Sequence, residues 1–100
     1  MNYIERDAEL IRQQIPDGTE IPVHSEALFR AYAVLMRAKG VNTRCEDVHD
    51  AWTAWISETD PNHEAARPFD QLDAETRSAD EPFLQAIIQA ARVKQQKSQA

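Results

Sequence analysis

The chain has 100 residues, 42% hydrophobic and 28% charged, which is the composition of one globular domain and leaves no room for two independent cores. Its net charge of -6, from 17 acidic and 11 basic residues, argues against general binding to nucleic acid or to an anionic membrane, since both need a basic face. A single cysteine, Cys45, excludes an internal disulfide framework and a four-cysteine zinc site, and two glycines are too few for a phosphate-cradling loop.

In chain order, the first segment reads as a helix from about Asn2 to Ile15. Asn2 can cap it with Glu5 at the third helical position, and Ile4, Ala8, Ile11 and Ile15 form one apolar stripe. Pro16-Asp17-Gly18 breaks this helix, and the stretch to Pro22 reads as extended loop. Ser25 is placed to cap a second helix reaching about Lys39. Its run of Leu28, Phe29, Ala31 to Met36 is apolar nearly all round, the pattern of a central helix buried on more than one side. Gly40 stands where a left-handed helix stop is expected.

Thr43-Arg44-Cys45-Glu46 has the spacing of a capping box and predicts the start of a third helix, with Val48, Trp52, Trp55 and Ile56 on one face. Asp60-Pro61 ends it. Residues 61–72 form a compact loop with two prolines. Asp73 then opens a last helical region, which Pro82 divides by a kink or by a turn into a new helix capped by Asp80. Phe83, Leu84, Ile87, Ile88 and Ala91 make its core stripe, and Arg92, Lys94 and Lys97 suit the negative end of its dipole. The reading is therefore all-α: a compact orthogonal bundle of about four helices over residues 1–93, with a structured Pro-containing loop before the last helix. Residues 94–100, a polar stretch without anchors, read as a disordered tail.

Cys45 and His49 lie four apart and share a helix face, which would suit a thiolate-imidazole pair. No third orienting group or oxyanion site accompanies them, and the expectation is that no residue is catalytic. Neither HExxH nor CxxC spacing gathers Cys45, His49, Asp50, His63 and His24 into a zinc site, so no metal and no cofactor are expected. The N-terminal decapeptide lacks the basic start and apolar centre of a signal peptide, and no apolar run approaches the ~20 residues that cross a bilayer. A cytoplasmic protein follows. The pattern that stands out is aromatic and cationic. One of Trp52 and Trp55 belongs to the core, and the other can join His63 and Arg67 of the following loop in a pocket.

Three stretches taken together, His49-Asp50-Ala51-Trp52, Asn62-His63-Glu64 and Pro68-Phe69-Asp70-Gln71-Leu72, resemble the ryanodine-receptor (RyR) repeat domain. That family shows a helical H-E-x-W element, a later loop of the H-P-x-L-x-P-Y-x-x-L type, and an acidic helix with E-x-x-x-x-D, whose spacing Glu75 and Asp80 reproduce. The likeness runs from about Leu28 to Ile88, with a shorter segment between Trp52 and His63, as in a compact stand-alone bacterial or phage relative. It implies a helical, non-catalytic module that senses a small nucleotide-like ligand or mediates protein contacts. The expected ligand site is the junction of the third helix with the 61–72 loop, formed by His49, Trp52, Trp55, His63, Arg67 and Asp70, with Arg67 facing an anionic group. The alternative is an acidic regulatory protein of phage type that docks on a host protein. Self-association as a homodimer is a further expectation for so thin a core.

Overall fold

The computed structural model describes residues 1–98, and they form a small all-α bundle. Helix α1 (Tyr3–Gln13) begins as expected: the Asn2 side chain accepts from the Glu5 amide at 2.9 Å, while Glu5 accepts from the Asn2 amide at 3.3 Å. The helix stops two residues short of Ile15, and Gly18 takes the left-handed φ of +86° in the turn that follows. Helix α2 (Glu26–Lys39) touches α1 and α3 (Cys45–Ile56) as well as the last helix, α5 (Glu81–Ser98), so it is central. It buries Leu28, Phe29, Tyr32, Ala33 and Met36, but Val34 is 56% exposed. The helix is thus covered from more than one side, by α1, α3 and α5, while the strip that carries Val34 faces solvent.

The start of α3 is also shifted from the expected box. Gly40–Asn42 form a one-turn 3-10 helix, and the Thr43 hydroxyl donates to the Gly40 carbonyl at 2.7 Å. With Thr43 committed there, Arg44 becomes the cap residue, and its amide donates to Asp47 Oδ2 at 2.9 Å. Asp47 also takes Lys39 at 2.8 Å, and these partners hold its carboxyl below the ordinary range against the opposing effect of burial.

The loop after α3 turns through a second 3-10 segment, Phe69–Gln71, into the one-turn helix α4 (Ala74–Ser78). Asp73 caps α4 as expected, accepting from the Thr76 amide at 2.8 Å. Between the two alternatives that Pro82 left open, the structure takes the turn: α4 ends, and α5 starts at Glu81 with its first helical bond running from Leu84 N–H to the Asp80 carbonyl. Helix α5 buries Leu84, Ala86, Ile87, Ala90 and Ala91, and the three alanines let it lie close on α1 and α2.

Helix α5 continues through residues 94–98, which the sequence reading assigned to a disordered tail. The physical reason is an anchor: Lys94 Nζ donates at 3.0 Å to Asp7 Oδ2 of α1. The same oxygen accepts from Arg37 Nε of α2 at 2.7 Å, so one carboxylate ties three helices together. Residues 99–100 of that expected tail lie outside the described residues.

Candidate functional site

A cavity of about 560 Å³ opens where the 17–22 loop, α2, α3 and the α4–α5 turn meet. Tyr32, Trp52 and Phe83 supply its aromatic wall, and Asp17, Glu20 and Asp80 supply carboxylates. Its size is that of a small-molecule site. Tyr32 is held edge-on to Phe29 with ring centres 5.6 Å apart, and Phe83 packs 5.9 Å from Tyr32. Both rings extend the hydrophobic core to the cavity surface. Burial, with the Asp80 charge second, pushes the Tyr32 phenol well above its ordinary value, so it stays a neutral donor.

His49 is the hinge between cavity and loop. It is 3% exposed, and its Nε2 lies 2.7 Å from the Arg67 carbonyl, so Nε2 carries the proton and donates. Nδ1 then faces Asp80 Oδ2 at 3.5 Å, too long for a well-formed hydrogen bond. Asp80 is itself 9% exposed, and Oδ2 has no hydrogen-bond partner in the protein. Burial pushes the Asp80 carboxyl up to about 6, with His49 pulling in the opposite direction. A proton on one of the two atoms keeps two lone pairs from facing each other. Of the two ring nitrogens of His49, Nε2 is thus bonded within the fold, while Nδ1 faces Asp80 without a well-formed hydrogen bond.

Trp52 stacks on His49 with ring centres 5.5 Å apart and planes 25° apart, and His63 meets it edge-on at 5.0 Å. His63 is fixed in turn, since its Nδ1 accepts from the Ala65 amide at 3.0 Å and its backbone N–H donates to Asp60. Three of the six expected residues, His49, Trp52 and His63, are therefore brought together. Trp55 is not among them. Both tryptophans pack against the hydrophobic core, and Trp52 lines the cavity as well, whereas Trp55 does not. Arg67 and Asp70 have exposed side chains away from the cavity lining, and they contribute through their carbonyls. Arg67 accepts from His49, while Asp70 accepts from Arg77 Nη2 at 2.7 Å. The Arg67 charge lies near Asp73 and helps lower that carboxyl, after the Thr76 amide and hydroxyl.

No lysine or arginine lines the cavity among the described residues. Residues that the sequence reading did not place here include Asp80, Tyr32, Thr76 and the 17–22 loop. Arg77 was likewise overlooked: it donates to the Phe69 carbonyl at 3.1 Å as well as to Asp70, and so pins the loop beside His49. The one visible signal was Glu75-x-x-x-x-Asp80, together with Asp80 as a helix start.

The thiolate-imidazole reading does not hold. Cys45 Sγ donates to Glu81 Oε2 at 3.2 Å, and burial together with that carboxylate pushes the thiol up to about 12. His49 points elsewhere. No group of three or more His, Cys, Asp and Glu side chains among the described residues is placed to hold a metal ion. Nor is any described helix long and apolar enough to cross a membrane.

Comparison with known proteins finds no match among curated proteins and none among solved structures. One family model matches residues 2–92, nearly the whole bundle including every cavity residue. The chain belongs to that family, the domain of unknown function DUF7701.

Proposed function

We propose that the chain is a RyR-like, non-catalytic module acting in the cytoplasm, which binds a small ligand in the cavity between the 17–22 loop, α2, α3 and α5. The observation that carries this reading is an aromatic-walled cavity of about 560 Å³ into which a buried, under-partnered carboxylate is built. The commitment of His49 Nε2 to the Arg67 carbonyl, with Nδ1 turned to the buried Asp80, supports binding over catalysis, because a general base needs a lone pair facing its substrate. The cavity adjoins the helix-loop junction expected from the sequence and shares His49 and Trp52 with it, while its centre lies further toward α2 and α5.

Native mass spectrometry of the gently purified protein tests this, with the same sample denatured for comparison. The expected result is additional mass that is lost on denaturation. It should also be lost in Ala79→Trp, where a bulky side chain on an exposed lining residue fills the cavity mouth. Retention of the added mass in Ala79→Trp would place the ligand elsewhere and overturn the assignment.

A further inference from the structure

We propose that the cavity takes a small organic cation, of the amidinium or protonated-amine kind, with its charged head at Asp80 and its apolar body against Trp52, Tyr32 and Phe83. This rests on the cavity being the ligand site. Its charge balance points one way. Asp80, Asp17 and Glu20 line it, and no described lysine or arginine does. Arg67, the cation expected from the sequence, is spent outside it. An anion entering this space would lose its hydration and gain three carboxylate neighbours.

Asp80 adds the specific observation. A buried carboxylate oxygen without a hydrogen bond is costly, and a donor arriving from the cavity relieves that cost. Among the described residues, the basic side chain that faces Asp80 is His49 at 3.5 Å, and the Nε2 bond to Arg67 fixes that ring in place. The other ionisable groups around Asp80 cannot neutralise it. Tyr32 of α2 and Cys45 of α3 are held protonated and neutral, Glu81 is anionic, and Asp17 and Glu20 add negative charge at the rim. Aromatic faces such as those of Trp52 and Tyr32 further favour a cation over an anion of equal shape.

Three probes of one shape and different charge test the proposal: benzamidine (a cation at neutral pH), benzamide and benzoate. The indole N–H resonance of Trp52, followed by NMR, reports entry into the cavity. At about pH 7.5 and constant ionic strength, benzamidine should bind with a Kd on the order of 1 mM, at least ~10-fold tighter than the other two. Its affinity should fall about 10-fold between pH 7.5 and pH 5, because a proton held by Asp80 up to about 6 must leave before the cation can pair with it. Asp80→Asn should bring the three affinities within about threefold of one another. Since that variant alters a buried contact, the pH titration of the unaltered protein tests the same anchor independently.

Benzamide or benzoate binding as tightly as benzamidine would overturn the charge assignment while leaving the cavity as the site. Benzamidine binding that ignores pH would remove Asp80 as the anchor. If no probe moved the Trp52 resonance at about 20 mM, well above the expected Kd, both the cation and the cavity reading would fall.

Discussion

Asp7 on α1 and Asp80 in the α4–α5 turn are both buried carboxylates of one small bundle, and they have opposite surroundings. Asp7 Oδ2 receives Arg37 and Lys94 within 3.0 Å, so its charge is matched and three helices share it. Asp80 Oδ2 meets His49 at 3.5 Å and nothing that donates a proper hydrogen bond. A buried charge that is fully paired holds a fold together, whereas one left short of partners beside a cavity is a place for something else to bind. The contrast separates an acid paired within the fold from one left without a donor, in a chain with 17 acidic residues.

Substituting the two carboxylates should therefore give effects of opposite sign. Asp7→Ala strips both cations of their partner and should cost about 2 kcal/mol in urea unfolding, below the full penalty of a buried pair because Arg37 and Lys94 stay partly solvated. An unchanged midpoint would erase the distinction. Asp80→Asn, by contrast, should raise stability by about 1 kcal/mol near pH 7.5, since a neutral amide can donate to His49 without the cost of a buried charge. That gain has a pH window. Folded Asp80 keeps its proton up to about pH 6, while the unfolded residue releases it near the ordinary carboxylate value. Between those values the folded state binds more protons, so the native chain gains stability as pH falls through about 6, and the advantage of Asp80→Asn shrinks with it. A difference that stayed constant from pH 7.5 to 4 would show that burial does not govern this carboxyl.

The smallest expected effect concerns a third acid. Glu81 accepts from the Cys45 thiol, which should alkylate with iodoacetamide at least ~100-fold more slowly than free cysteine at neutral pH, because burial and the carboxylate disfavour the thiolate. Glu81→Gln should speed that reaction only about threefold, because burial is the larger cause. A much larger acceleration would give Glu81 a bigger share in restraining the thiol than burial.

What could be read in advance follows from how local each feature is. The Asn2–Glu5 box and the Asp73 cap involve neighbours three residues apart, and both were legible. The α3 start was misplaced by one residue because Thr43 and Arg44 each have an acid three positions on, and only the Gly40 carbonyl decides between them. His49, Trp52 and His63 were legible as a cluster, since they stand on one helix face and the loop beyond it. Asp80 and Tyr32 were not. Each has an adequate local explanation, as a helix start and as a core aromatic, and their meeting with residues far along the chain is a tertiary fact. Arg67 misled for the complementary reason: the type of side chain suggested charge at the site, whereas its carbonyl does the work.

Lys94 carries one more consequence, for where this folding unit ends. The family match stops at residue 92, but the grip of α5 on α1 is made two residues further on. A chain shortened to the matched segment would retain the complete cavity and leave Asp7 with Arg37 as its sole clamp. The boundary drawn by likeness and the boundary drawn by physics thus differ by about half a turn of helix. Whoever trims this domain for crystals or for a fusion should cut beyond the second.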